Sequence, residues 1–422
     1  MAAKAPADQE EEEEVCRGVV EFLRRRHSSF WTRMTAMEAS GMMGDLGTLL
    51  PLTLAMAEKG SIRPGAALLW TGVFNVIGAY QWDLPMPVQP MKTIAATAIT
   101  EGLSEGAVAA AGIFTGGAVA LLGLTGVIEI VNRVVPRSVV SGIQLGLGLR
   151  MVGVGVAYVG ARWTALDGPF LGGAAALAGA AAAQDLPVAL LIVLVGAAVA
   201  AGQWLATNDA ARYAPYALGV APRQPTSSDW AAGILRAGLP QLPLTTLNSV
   251  ISVCALSERL FPDREKATRR SVSTSVGAMN LIGCFFGAMP SCHGAGGLSG
   301  QYKFGARGGA AIFMFGFLKI AIVLALGETN LRNAIAAFPR SLLGALLALA
   351  GAELARAGAK ADGAETATLA TAGVTIGLSN TGAGAAVGLL VAYSELLCEK
   401  LKARRSPTTR EIPMHEPISC SC

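Results

Sequence analysis

This sequence is poor in charge. Only 15% of its 422 residues are Asp, Glu, Lys or Arg, against about 25% in an ordinary soluble domain. Aromatic residues make up 6% and there are three histidines. The seven cysteines (16, 254, 284, 292, 398, 420 and 422) are an odd number in apolar or tail contexts, so no disulfide framework is expected. No nucleophile–base–acid set is legible, which argues against an enzyme. Nothing near the start resembles a cleavable leader, because residues 8–14 are an acidic run and the first apolar stretch comes much later. The net charge of +4 decides little, since what matters is where the charges fall along the chain.

What is present is apolar and small. The chain is 52% hydrophobic with 51 glycines, and its mean hydropathy is +0.49. At this length that composition predicts an all-α polytopic membrane protein with the lipid bilayer as solvent. About twenty apolar residues cross a bilayer. On that rule segments are predicted near 34–57, 64–82, a short 91–101, 106–131, 137–160, 168–183 and 186–206. A polar connector with three prolines follows, and a second set runs near 238–257, 271–289, a short 294–306, 308–327, 339–358, 365–379 and 382–398. That is roughly seven plus seven, with the third of each set short.

Two stretches read as copies of one device, Phe74 to Ala96 and Met279 to Gly309. Each begins as an apolar helix, breaks at a proline, crosses a few extended residues and restarts as a short helix. At a spacing of 205, Asn75 meets Asn280, Ile77 meets Ile282, Gly78 meets Gly283 and Pro85 meets Pro290. Other echoes keep nearly the same offset: Pro136-Arg137-Ser138 recurs as Pro339-Arg340-Ser341, and Glu58-Lys59 as Glu258-Arg259. An odd number of crossings per copy makes the two halves an inverted pair.

A broken helix has consequences inside a bilayer. The first N–H groups of a helix have no internal partner and lie at the positive end of its peptide dipoles. Irregular backbone at membrane depth survives only where it lines a protein or water-filled cavity. Two opposed half-helix starts therefore predict an anion site near the midplane.

The residues at those starts supply the chemistry. Gln89, Pro90, Met91 and Lys92 open the third segment, and Pro suits a first helical turn. Lys92 adds a full positive charge, its other reading being a lysine that snorkels to the interface. In the second copy Gly294, Ala295, Gly296 and Gly297 offer accessible backbone, or alternatively helix packing. Ser291, Cys292 and His293 lie on the extended approach. His293 is a candidate anion donor or proton-coupling group, or else a hydrogen-bonded structural histidine. Asp45, the most conspicuous buried acid, is a second proton-coupling candidate through Lys92, or a structural hydrogen-bond acceptor. Gln144, Asn248 and Gln301 are neutral candidates for lining the cavity, with interhelical bonding as the alternative. Glu38 is a weaker acid candidate, and Lys303 and Arg307 are expected to face water or headgroups. Cys284, Cys292 and His293 lack a second ligand pair of suitable spacing, so no metal is expected.

Orientation follows from Lys and Arg near the membrane ends. The Arg-rich flank (Arg24, Arg25, Arg26, Arg33), the loop Glu258 to Arg270 and the tail from Lys400 to Arg405 are expected on the cytoplasmic side. With fourteen crossings all three fall on one face, and the linker on the other.

Pro85 to Lys92 (PMPVQPMK) and Met289 to Gly309 closely resemble the two signature blocks of the eukaryotic molybdate transporter family. That family is a branch of the sulfate permease superfamily. Gly44 to Leu52 and Pro136 to Leu149 also look like it, and the similarity covers about 34–398. The resemblance implies two inverted seven-segment repeats of the sulfate permease and uracil permease kind. It implies an N-terminal segment 1–33, core parts 34–131 and 236–331, gate parts 132–207 and 332–399, a linker 208–235 and a tail 400–422. The soluble C-terminal STAS domain of sulfate permeases is expected to be missing. The function implied is a secondary active transporter of molybdate by alternating access, with proton symport and no cofactor. The expected partners are molybdate, protons and a second copy in a homodimer, with no nucleic acid. Plasma membrane or vacuolar endomembrane is favoured over mitochondria. Sulfate is the nearest competitor substrate, and an anion channel shares the scaffold. A nucleobase permease would want an acid where Gly294 to Gly297 stand.

Overall fold

The computed structural model describes residues 20–21, 24, 26–28, 30–128, 130, 134–159, 188–206, 217–264, 266–359 and 366–405. The expected sixth segment, 168–183, lies outside the described residues, as do most of the N-terminal segment and the end of the tail.

The first half comprises α1 (Ala36–Met42), α2 (Leu46–Glu58), α3 (Pro64–Trp82), α4 (Lys92–Glu101), α5 (Glu105–Leu124), α6 (Arg137–Val159) and α7 (Val188–Ala206). The second comprises α8 (Ser227–Leu260), α9 (Arg269–Gly283), α10 (Ala295–Lys303), α11 (Gly309–Ala336), α12 (Arg340–Ala359), α13 (Thr366–Gly377) and α14 (Thr381–Arg405). Six helices among the described residues are long and apolar enough to cross a membrane. At 1.5 Å per residue, the ten residues of α4 and nine of α10 cover about half a hydrocarbon core. Both are half-helices.

Three boundaries depart from expectation. The first segment breaks at a 3-10 turn, Met43–Asp45, which separates α1 from α2. Helix α8 begins at Ser227, inside the expected linker, because Thr226 and Asp229 form a capping box there. It then carries two π-helical stretches, Ile234–Gly238 and Thr245–Ser252, on either side of Pro240 and Pro243, which cannot donate to the ladder. Helix α11 continues past the expected end at 327 and bends at Gly327, whose φ of 68° leaves the helical region.

Glycine sets which helices approach most closely. Gly72 of α3 lies against the Gly316 carbonyl of α11. Gly116 and Gly123 of α5 face Asn280 and Ser273 of α9, while Gly277 faces Ala120. Helices α6 and α12 meet backbone to backbone at Gly155 with Gly344 and at Gly148 with Gly351. Apolar burial drives no helix association between lipid and protein, so close packing of small residues holds these pairs. Helix α3 thus packs on α11, and α9 on α5.

The charged flanks converge. Asp83, in the left-handed conformation after α3, accepts from Arg33 (2.8 Å) and Arg264 (2.7 Å), with Arg26 at 3.3 Å. Glu38 accepts from the Arg307 amide (2.8 Å), and the Arg307 guanidinium lies 3.9 Å from the Tyr302 ring centroid.

Candidate functional site

Both broken spans are closed by the same bond. Asn75 Oδ1 accepts from the Val88 amide (2.8 Å), and Asn280 Oδ1 accepts from the Ser291 amide (2.9 Å). Each asparagine thus holds the extended residues against its own helix. The extended pieces pair antiparallel, Gln89 opposite Cys292 and Pro90 opposite Ser291, and the Met91 amide donates to Pro290 O (2.9 Å). This two-stranded contact, fully buried, sets the start of α4 against the start of α10. Neither start carries a side-chain cap on its N-cap residue, Met91 or Gly294.

The residues around that contact form one cluster. In the orientation that satisfies both its ends, Gln89 donates to Asp45 Oδ1 (3.0 Å) and accepts from the Gly294 amide (3.2 Å). Asp45 sits at the break in the first span, 1% exposed, and its Oδ2 has no partner among the described residues. A side chain at Gly294 would strike the Gln89 amide, and one at Gly297 would strike Pro87 and Asp45. Gly296 differs: it is exposed, and a Cβ there meets only Lys92 Nζ, at 4.0 Å. Lys92 is half-buried and makes no hydrogen bond or ion pair to another described residue. Beside it lies a cavity of about 20 Å³ bounded by Thr48, Leu52, Met151, Glu353 and Leu354, room for about one water molecule.

Other candidates are occupied elsewhere. His293 is fully buried with Nδ1 3.1 Å from Pro87 O, Nε2 3.0 Å from Ser275 Oγ, and its ring edge-on to Trp82. Nδ1 and the Trp82 contact tie this histidine to the first copy and Nε2 ties it to α9 of its own half, which is its structural reading. Ser291 Oγ donates to Met289 O (2.8 Å), and Cys292 Sγ accepts from Ser249 (3.1 Å). Pro90 and Met91 are buried in the strand contact, and Ala295 is half-buried at the first turn of α10. Gln301 is buried with neither amide atom bonded. Gln144 packs beside Gly358 of α12, and Asn248 is half-buried in the second π-helical stretch of α8. No group of three His, Cys, Asp or Glu that would hold a metal occurs among the described residues.

Two buried polar residues were not singled out from sequence. Gln241 Oε1 accepts from the Thr93 (2.8 Å) and Ile94 (3.3 Å) amides, so α8 takes up two orphan donors of α4. These two α4 amides are therefore not free to meet a ligand. Its signal was a glutamine between two prolines. Lys319 is 2% exposed in α11, and a lone lysine in an apolar run was signal enough to find it.

The contrast among the glycines gives a prediction. Gly296→Val is expected to weaken anion binding by tenfold or more while shifting the melting temperature little, since its space is open. Gly294→Val is expected to lower both. Ligand titration and thermal unfolding of the purified variants compare the two effects.

A bundle of apolar helices in which two half-helices meet tip to tip is the architecture of an integral membrane protein. The fold likeness agrees. SLC26A9 matches with a TM-score of 0.58 at 14% identity, covering 95% of this chain and 72% of that one. The transmembrane domain of the cyanobacterial bicarbonate transporter BicA matches at 0.53 and 15%, covering 85% and 97%.

The sequence narrows the class. The family described as "Molybdate transporter of MFS superfamily" matches residues 37–151 and 233–354. Molybdate transporter 1 of Arabidopsis thaliana is 38% identical over 77% of this chain and 80% of its own length. Molybdate transporter 2 of the same plant is 36% identical over 83% and 84%, and Molybdate transporter 1 of Chlamydomonas reinhardtii 33% over 87% and 92%. The chain belongs to the molybdate transporter family, a family of transporters and not of enzymes.

Proposed function

We propose that this protein is a secondary active transporter that carries molybdate across a membrane with protons, by alternating access. The observation that carries the reading is the meeting of the α4 and α10 starts, with Lys92 facing the open backbone of Gly296. At neutral pH molybdate is a divalent tetrahedral oxyanion. Its site needs donors and positive potential without a trap too deep for release. A lysine and a dipole end meet that need. The binding residues in this reading are Gln89, Lys92, Gly294, Ala295, Gly296, Gly297 and Gln301, with Asp45 as the proton-coupling group. Ser291, Pro90, Met91 and His293 hold the two tips in register.

Several features support an inverted repeat behind this site. Asn75 and Asn280 make equivalent bonds, α3 packs on α11 as α5 packs on α9, and α6 pairs with α12. In this reading α1 to α5 and α8 to α11 form the moving core, and α6, α7 and α12 to α14 the gate. The meeting of Arg33 and Arg264 on Asp83 supports one cytoplasmic face for the N-terminal flank and the loop after α8. A homodimer is the assembly this reading assigns.

The test is uptake of labelled molybdate into proteoliposomes, with sulfate as competitor. Accumulation against the gradient is expected and separates a transporter from a channel; preferential sulfate uptake would reassign the substrate. Collapsing the pH gradient is expected to stop accumulation, whereas indifference to it would remove protons from the cycle.

A further inference from the structure

Gln241 stands at the start of α4 without belonging to it. It lies between Pro240 and Pro243, in the six residues Leu239–Leu244 that separate the two π-helical stretches of α8. Such stretches recur at functional sites. The side chain is 1% exposed. Its Oε1 accepts from the Thr93 (2.8 Å) and Ile94 (3.3 Å) amides, and its Nε2 donates to Thr245 Oγ1 (2.7 Å), itself fully buried. Two N–H donors on one side and a hydroxyl on the other fix which way the amide points. An oxygen shared by successive amides of a first helical turn is the contact that a bound oxyanion makes. Here a neutral carbonyl from another helix holds that place, one residue along from Lys92.

The two tips differ in this respect. In the first turn of α10 no side-chain oxygen among the described residues accepts from an amide, and Gln89 reaches only the N-cap Gly294. The paired tips therefore have one open start and one filled start. The kind of residue that fills it matters. Helix starts favour Asp and Glu, whose full charge suits the dipole end. A carboxylate on these amides would cap α4 more strongly, and it would also repel an anion beside Lys92. Glutamine supplies the acceptor and adds no charge. An apolar residue would leave two buried donors unmet or hand them to the substrate.

We infer that Gln241 sets the affinity of the anion site, because it takes up two α4 amides that an oxyanion oxygen would otherwise bond. The inference rests on the oxyanion reading above. Hydrogen bonds to a full negative charge are roughly twice as strong as those to a neutral acceptor. Two more amides would therefore deepen the site considerably. An anion held by both helix starts and by Lys92 would leave slowly, and a carrier must release what it binds. With the amides already met, Gln241 lowers affinity and raises turnover.

Gln241→Met keeps the reach of the side chain and removes its carbonyl. Molybdate is titrated into purified full-length protein, thermal unfolding is followed with and without it, and initial uptake rates are measured in proteoliposomes. In Gln241→Met, molybdate is expected to bind about tenfold tighter or more, the scale of a charge-assisted hydrogen bond. KM and kcat of uptake are expected to fall together. The melting temperature is expected to drop without molybdate and to rise further on adding it than in wild type, since tighter binding stabilises more. Gln241→Ala repeats the test if the methionine variant does not yield folded protein. Gln241→Glu is expected to keep or raise the melting temperature, as an acid at a helix start does, and to weaken molybdate binding by about tenfold or more. A purely structural cap predicts otherwise: lost stability with equal or weaker binding in Gln241→Met, and unchanged binding in Gln241→Glu. Either result overturns the inference, while wild-type uptake leaves the transport reading intact. Wild-type protein that takes up no molybdate counts against the transport reading itself.

Discussion

Lys92→Ala is expected to reduce molybdate uptake to the background of empty liposomes while the protein stays folded in the membrane. Three observations separate the two effects. Lys92 heads a half-helix whose following amides, Thr93 and Ile94, are already bonded by Gln241. Its own charge is thus the main positive contribution from this tip. Its ammonium makes no hydrogen bond or ion pair to another described residue, so truncation leaves no partner stranded. It is half-buried, so the apolar area lost is modest. Truncating one member of a buried charge pair typically costs a complex about 2–5 kcal/mol, which is thirtyfold or more in affinity. Lys92→Arg, which keeps the charge but not the reach, is expected to retain part of the uptake. Unchanged uptake in Lys92→Ala at normal surface abundance would remove the lysine from the site.

The second large effect is expected in stability, at Glu101→Ala. Glu101 ends α4, and its carboxylate is fully buried. It accepts from Arg150 of α6 (3.2 Å), Arg236 of α8 (2.9 Å), and both the amide (2.8 Å) and the hydroxyl (2.7 Å) of Thr381 at the start of α14. One side chain therefore ties four helices. Breaking such a buried pair from one side costs about 3–5 kcal/mol, because the opposite charges stay buried without compensation. Arg236 is one-third exposed and can turn to water, which favours the lower end. Arg150, 11% exposed, keeps the Thr100 carbonyl and little else. A fall in melting temperature well beyond that of Lys92→Ala is expected in detergent, and Glu101→Gln is expected to fall less because it can still accept from Thr381. Equal melting curves would mean that the cluster contributes nothing. In the core-and-gate reading, the bonds from Glu101 to Arg150 and Thr381 also join the two parts, so the cluster must open during a cycle.

Much of the architecture was legible in the chain. Lack of charge and abundance of small apolar residues leave few folds for 422 residues other than a helical membrane bundle. The half-helix at Lys92–Glu101 was legible from its prolines and length, as was its counterpart at Ala295–Lys303. Pro and Gly act through local backbone geometry and mark breaks wherever they fall. The start of α8 at Ser227 was missed because a capping box in a Pro-rich stretch reads as linker. The turn at Met43–Asp45 was missed because no proline or composition change announces it.

What the sequence determined by itself was therefore the class of protein, the two breaks before the half-helices, and the family, because each rests on composition or on neighbours along the chain. Only the tertiary structure decided which side chains share the broken tips. It turned His293 into a tie between Pro87 and Ser275 and brought Gln241 onto the amides of α4. Electrostatics and hydrogen bonding act through space, and the spacing that sets them here comes from glycine-lined helix crossings rather than from any local pattern.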